Sequence, residues 1–376
     1  LSDPLNPKHK EEVIYLVDIS SFIFRAFFAI PSLSNSKGHP TNATYGVISM
    51  MLKLLEQARS RSIVCVFDSK EPSFRKTEYQ AYKANRGEPP ELLRPQFDDI
   101  EKAVGLMGIP VLRVSGFEAD DLIATACKRY NDRPIVIVSS DKDLMQLIDD
   151  RVTMWDTMKD VHYGPKEVED KMGVPPVLVA DYLGLVGDSS DNIPGVPGIG
   201  PKTAVELLKT YGSLDGILES CHQIKGKKGE TIKKHEADAR LSKRLATVRR
   251  DVDSDHKVAD LFAQNGDSLQ IQDMSLDFIS FLKDLELNSL VKKISDRIHA
   301  PTSQAHVTHG SQSTTESPSN VVYNKIKSEK AHDRLVAELQ RQGRFALTIQ
   351  HDGKDRGSFA IATDSAVYSL ATEVKD

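Results

Sequence analysis

The strongest constraint on the fold is a set of three short apolar runs, each ending at or just before an aspartate. VIYLV at residues 13–17 meets Asp18, IVCVF at 63–67 meets Asp68, and IVIV at 135–138 is followed by two serines and Asp141. Each run is too short for a helix and largely apolar throughout, as in parallel strands buried on both faces. Residues 45–58 and 97–107 have helical spacing, and IPVLRV at 109–114 fits a fourth short strand. This alternation predicts an α/β fold with a mainly parallel sheet. Open α/β sheets bind ligands outside the carboxyl ends of their strands, so the three aspartates are expected on one rim.

Beyond residue 165 the strand pattern fades. Residues 165–172, 175–185 and 202–211 read as short helices separated by Gly and Pro, the beginning of a helical domain that runs to about residue 298. Its later part is basic, with ten Lys and Arg between residues 225 and 250 against Glu230, Glu236 and Asp238. PTSQAHVTHGSQSTTESPSN at 301–320 has the composition of a linker. Alternation resumes in FALTI at 345–349 and FAIA at 359–362, but a segment from 321 to 376 is short for an independent core and is expected to begin an incomplete domain. The expected order is a polar tail at 1–12, an α/β domain at 13–173, a helical domain at 174–298, a linker at 299–320 and a partial α/β segment at 321–376.

Composition excludes more than it identifies. Of 376 residues 39% are hydrophobic and 27% charged, with no apolar run long enough to span a bilayer. The first dozen residues are polar and show no secretory signal, so a cytoplasmic protein with no membrane partner is expected. Cys65, Cys127 and Cys221 are widely separated, which argues against a disulfide framework and a cysteine-based zinc site. A net charge of −5 does not suit a protein that simply coats DNA, so the placement of the charges matters more than their sum.

The acids are clustered. Glu118, Asp120 and Asp121 open an amphipathic helix, Asp141 and Asp143 follow a strand, and Asp188 and Asp191 stand three apart in GDSSDN. Any one of them also suits a helix cap or a turn. Together with Asp18 and Asp68 they make nine carboxylates with almost no His or Cys among them, an all-oxygen set that selects Mg²⁺ or Mn²⁺. Nine acids exceed the needs of one ion. Two ions roughly 4 Å apart would suit phosphodiester hydrolysis.

Phosphates also call for cations. FRKTEYQAYKANR at 74–86 interleaves Arg75, Lys76, Lys83 and Arg86 with Tyr79 and Tyr82, suited to a single strand with stackable bases, although a solvated amphipathic helix has the same composition. Arg25, within FIFRAFFAI, is either a further phosphate ligand or an ordinary snorkelling side chain. In PGVPGIGPKTAVELL at 194–208, Gly195, Gly198 and Gly200 would admit a phosphate close to the backbone, and Lys202 and Thr203 begin a helix with free amides. The segment reads as a helix-hairpin-helix-type element, expected to hold duplex without reading bases, with a plain connecting loop as the alternative. It lacks the spacer of a nucleotide-binding P-loop.

The strings YLVDISSFIFRAFFAI, VFDSKEPSFRKTEYQAYKANR, GFEADDLIATA, SSDKDLMQL and GLVGDSSDNIPGVPGIGPKTAVELL, in this order over about residues 13–290, resemble the 5′-nuclease domain of bacterial DNA polymerase I, within the 5′-3′ exonuclease or flap endonuclease family. The resemblance implies a PIN-like nuclease fold with a DNA-binding helix-hairpin-helix subdomain. It also implies two metal clusters, with Asp18, Asp68, Glu118, Asp120 and Asp121 near one ion and Asp141, Asp143, Asp188 and Asp191 near the other. Arg25, Lys83 and Arg86 match basic positions at the scissile phosphate and in the helical arch, and the glycine hairpin matches a K⁺-assisted duplex site. The tail resembles the start of a 3′-5′ exonuclease-like domain with Thr348 and Gln350 where its carboxylates would stand. The implied activity is Mg²⁺-dependent cleavage at 5′ flaps, nicks and junctions of DNA, or of RNA primers, by a monomer acting in primer removal and repair. A junction-binding module that does not cut is the alternative from another class, distinguished by loss of carboxylates. A small-molecule phosphatase would leave the arch and the hairpin without a use.

Overall fold

A computed structural model describes residues 13–58, 60–252, 269–275 and 277–298, and strands at 322–325, 346–351, 356–362 and 366–373. The tail read at 1–12 and the linker read at 299–320 lie outside the described residues. Contacts divide the chain into two units, 1–300 and 301–376.

In the first unit β1 (Ile14–Asp18), β2 (Ile63–Val66), β3 (Val111–Leu112), β4 (Ile135–Val138), β5 (Val152–Asp156) and β6 (Val161–Tyr163) form one sheet in the order β3-β2-β1-β4-β5-β6. All pairings are parallel except the last, between β5 and β6. The chain runs outward from β1 through β2 to β3, then returns across β1 to begin β4 on its other side. The strand order therefore reverses at β1, which opens a crevice at the carboxyl ends of β1 and β4.

Successive residues of β1 point to opposite faces, and both faces are dry. Ile14 and Leu16 join a core on one side, and Tyr15 and Val17 join a second core on the other. Five helices lie between β1 and β4, namely α1 (Ile19–Ala29), α2 (Asn42–Gln57), α3 (Phe74–Glu78), α4 (Arg94–Leu106) and α5 (Ala119–Arg129). The aromatic FIFRAFFAI run becomes α1 because Asp18 caps it, accepting from the Ser21 amide, while Phe22, Ile23 and Ala26 turn inward. Where a longer arch helix was expected, α3 ends at Glu78, and residues 80–86 continue as turns with Lys83 in the left-handed region at φ 53°. β5 and β6 lie beyond the predicted strands: β6 has only three residues, too few for any period to register.

After β6 come α6 (Pro165–Met172), α7 (Val179–Val186), α8 (Pro201–Tyr211), α9 (Leu214–Glu219), α10 (Lys227–Lys234) and α11 (Glu236–Ala246). Residues from α6 to α11 share the α5-side core, so the helical region packs directly on the sheet domain. At the crossing of α7 and α11 a Cβ on Gly184 would stand 2.9 Å from the Lys243 Cβ and 3.3 Å from the Ala239 carbonyl oxygen, so only glycine allows these helices to pack this closely. Further on, α12 (Asp277–Asp284) and α13 (Asn288–Ile298) contribute Phe278, Leu282, Leu290 and Ile294 to the opposite core, beside α1, α2 and α4. No helix among the described residues is long and apolar enough to cross a membrane.

In the second unit β7 (Val322–Lys325), β8 (Ala346–His351), β9 (Arg356–Ala362) and β10 (Ala366–Glu373) form a sheet in the order β7-β10-β9-β8. β8 and β9 pair antiparallel, with Thr348 opposite Ala360 and Gln350 opposite Ser358.

Candidate active site

A cleft of about 510 Å³ opens at the reversal of strand order, lined by eight of the nine predicted acids: Asp18, Asp68, Glu118, Asp120, Asp141, Asp143, Asp188 and Asp191. Local structure aims each one. Asp18 ends β1, and its second oxygen accepts from Ser139 Oγ at 2.7 Å. Asp68 follows β2 and accepts from the Ala119 amide at 2.9 Å, which pins it to the start of α5. Glu118 is the N-cap of α5 and Asp120 lies in its first turn, where the helix dipole favours acids. Asp141 caps a 3₁₀ turn at Lys142–Leu147 and accepts from the Asp143 amide. Asp188 and Asp191 sit in a tight turn closed by the Asp188–Ile193 bridge.

Burial so close to like charge raises the proton affinity of several of these groups. The Asp18 carboxyl is pushed up to about 7, first by burial and then by Asp68. Asp120 is raised well above the ordinary range by burial and by Asp141 and Asp18, and Asp143 likewise by burial, Asp141 and Asp188. Burial would also raise Glu118, but Lys83 at 2.9 Å and Arg75 outweigh it and hold the group low. Asp188 is held low against its own burial by Lys142, at 2.8 Å, and by Ser190. Lys83 and Arg86, both bonded to carboxylates, keep raised pKa values in spite of burial.

Among the described residues no three acidic, His or Cys side chains converge as a ready-made metal shell. Instead Lys83, Arg86 and Lys142 each draw one or two carboxylates toward themselves. The donor chemistry nevertheless fits a hard divalent cation. Eight oxygen-donor side chains share one cleft, four of the acids, Asp18, Asp120, Asp141 and Asp143, bind protons more tightly than usual, and Asp143 Oδ1 is a buried oxygen with no hydrogen-bond partner.

Several predicted site residues lie elsewhere. Asp121 does not line the cleft; it is fully buried and takes two 2.7 Å bonds from Arg75. Arg75 was expected on phosphate, but it is 2% exposed and also donates to the Leu245 and Thr247 carbonyls, so it is internal to the fold. Tyr82 was expected to stack on bases, but it is buried, with its hydroxyl 3.0 Å from both Glu118 and Asp191. Tyr79 is half-buried against the core, and Lys76 donates to the Tyr82 carbonyl. Arg25 is outside the cleft lining and reaches its edge through Ser140, at 3.4 Å. Lys142 and Lys171 line the cleft unforeseen, the first written between the two acids of DKD and the second on α6.

The hairpin joins α7 to α8. Gly195 has φ 64° and is buried, and a Cβ there would meet the Gly187 nitrogen at 2.4 Å, so this glycine allows two backbone segments to touch rather than a phosphate to approach. Gly198 and Gly200 face open space. The first-turn amides of α8, at Lys202 and Thr203, have no partner within the helix.

Comparison with known proteins agrees with this architecture. Residues 13–173 match the family "5'-3' exonuclease, N-terminal resolvase-like domain" and residues 174–268 match "5'-3' exonuclease, C-terminal SAM fold". A 5'-3' exonuclease of Aquifex aeolicus is 37% identical over 295 residues, covering 78% of this chain and 98% of that protein. DNA polymerase I of Rhizobium leguminosarum is 43% identical over 300 residues, covering 76% of this chain and 29% of that protein. The T5 5'-exonuclease, solved with divalent metal ions (zinc) bound, shares the fold at a TM-score of 0.53 and 21% identity, over 73% of this chain and 98% of that one. A mainly parallel sheet with an acid-lined cleft at its switch point is thus the fold of a 5′-nuclease. The chain belongs to the 5′-3′ exonuclease family, and it spans less than a third of the polymerase relative that it matches.

Proposed function

We propose that residues 13–298 hydrolyse DNA phosphodiesters near 5′ ends, at flaps, nicks and junctions, with Mg²⁺ held in the carboxylate cleft. The observation that carries this reading is eight acids in one cleft with an unpartnered Asp143 Oδ1 among them. Asp18, Asp68, Glu118 and Asp120 would hold one ion, and Asp141, Asp143, Asp188 and Asp191 a second, with Mn²⁺ able to substitute. When bound, such ions supply a lowered water pKa and neutralise charge on the phosphate. The protein's own groups do the rest. Ser139 and the Ser21 amide fix Asp18 at the end of its strand, and the Ala119 amide fixes Asp68. Lys83 and Arg86 stay charged beside the acids, ready to exchange a carboxylate for a phosphate oxygen. Arg25 would meet the strand at the edge of the cleft.

Gly198, Gly200, Lys202 and Thr203 would hold the duplex by its backbone, without base readout and with K⁺ as a further ligand of the hairpin. Removal of RNA primers and repair of flapped DNA are the corresponding tasks, carried out by a monomer in the cytoplasm as the nuclease part of a DNA polymerase I-type protein. A 5′-labelled flap duplex incubated with the protein in Mg²⁺ or in EDTA tests the reading. Short labelled products in Mg²⁺ alone are expected; no products in either condition would end it.

A further inference from the structure

One stretch of chain, residues 242–249, touches both carboxylate groups and the glycine hairpin at once. Ser242, fully buried in α11, accepts a 2.9 Å bond from the Gly195 amide of the hairpin. Arg75 donates to the Leu245 carbonyl at 2.8 Å and the Thr247 carbonyl at 3.1 Å, while its other contacts hold Asp121 and Glu118 at the head of α5. Asp121 in turn accepts from the Arg249 amide at 2.8 Å. Two of the intervening residues are bound to the other acid loop. The Gln146 amide group donates to the Ala246 and Asp143 carbonyls, at 2.9 and 2.8 Å, and accepts from the Val248 amide at 3.1 Å. Alternate residues of one segment are therefore fastened to the Glu118–Asp120 group through Arg75 and to the Asp143 group through Gln146.

We propose that residues 242–249, with Arg75, Asp121 and Gln146, act as a positioning clamp that sets the spacing of the two acid groups according to how the hairpin is seated on duplex. The inference rests on the proposed nuclease reading and extends it. Each bond to the segment itself is buried or half-buried and has a backbone group at one end, and the Arg75 and Gln146 side chains that carry it onward are held at several points, so a shift of the hairpin passes to the acids. Asp121 belongs to this clamp rather than to a metal shell, which accounts for an acid of the family pattern that faces away from the cleft. The bidentate Arg75–Asp121 pair fixes direction as well as distance.

The test measures cutting and binding separately. Single-turnover cleavage of a 5′-flap duplex at saturating enzyme with Mg²⁺, and equilibrium binding of the same duplex in EDTA, are compared for the wild type, Gln146→Leu, Ser242→Ala and the double variant. Thermal melts confirm folding. The clamp predicts that each single variant loses about tenfold to a hundredfold in cleavage rate while Kd stays within about twofold. It also predicts that the double variant loses no more than the worse single one, because both cuts interrupt one path. Rates within about twofold of wild type, losses that multiply, or Kd rising in step with the rate loss would overturn it. Arg75→Lys, which keeps the charge opposite Asp121 and drops the carbonyl contacts, supplies the same comparison should Gln146→Leu not fold. A wild type that binds the duplex but never cuts it would sink the nuclease reading instead, an outcome distinct from an active wild type with indifferent variants.

Discussion

The carboxylate cleft and the glycine hairpin are both read as holding the same polyanion, by opposite physical means. In the cleft everything depends on side chains: eight acids, offset by Lys83, Arg86 and Lys142, with four carboxyls driven toward protonation by burial and by neighbouring acids. In the hairpin the proposed grip is backbone, with Gly198 and Gly200 facing open space and α8 beginning in amides that have no partner within the helix. A site made of charges can be switched by pH, metal and single side chains. One made of backbone responds to little except the addition of a Cβ. The contrast separates chemistry from grip, and each experiment below strikes one side of it.

The largest effect belongs to the proposed metal shell. Asp143→Asn removes a charge at the buried carboxyl with the unpartnered oxygen, and cleavage should fall by about a thousandfold or more while duplex binding in EDTA is nearly unchanged. Retained cutting would take Asp143 out of the metal site. Next comes Lys83→Ala, which leaves Glu118 and Asp191 short of a cation; we expect the single-turnover rate to drop about a hundredfold with little change in Kd. A larger loss in binding than in rate would reassign Lys83 to the grip.

The hairpin should respond in the reverse order. Gly195→Ala drives a Cβ against the Gly187 nitrogen and should cost about 2–3 kcal/mol of stability in urea unfolding, with duplex affinity falling alongside. Gly198→Ala meets nothing and carries only the left-handed backbone penalty, about 1–2 kcal/mol. Equal costs at the two positions would mean that close packing of 187 on 195 is not what Gly195 is for.

The smallest effect is a pH dependence without metal. Asp18 binds its proton more tightly in the folded state, at about 7 against an ordinary 3.8, so its contribution to stability is present at low pH and lost as pH rises through about 7. Asp120, Asp141 and Asp143 have the same sign, while Glu118 and Asp188, held low, lose their contribution as pH falls. In EDTA the melting temperature should therefore decline from about pH 5 to about pH 8, and Mg²⁺ should reverse the decline. A melting temperature that climbs over this range in EDTA would show that the cleft acids carry no such burden.

Much of the cleft was legible because buried parallel strands announce themselves as unbroken apolar runs, and an aspartate after each marks the rim where ligands bind. The acids of GDSSDN joined them through charge density alone. Sequence could not distinguish Asp120 from its neighbour Asp121, because one residue of helix rotation sends one carboxylate into the cleft and the other into the Arg75 pair. Nor could it show that Arg75 and Tyr82 turn inward, since their partners stand 46 and 109 residues away. β6 escaped because three residues hold no period, and the expected arch helix stops at Glu78 because Tyr79 turns extended, with Lys83 further on in a left-handed turn. Of the clamp residues, Ser242 carries no motif and Gln146, though inside SSDKDLMQL, bears no charge to single it out; burial against backbone gives both away.

The account turns on whether the cleft cuts while the hairpin holds. The most direct measurement is a side-by-side assay of Asp120→Asn and wild type on one 5′-labelled flap duplex, with cleavage followed in Mg²⁺ and binding in EDTA. The account predicts short 5′ products from wild type alone and nearly equal Kd for both proteins. Full cleavage by Asp120→Asn, or loss of its binding, would contradict it.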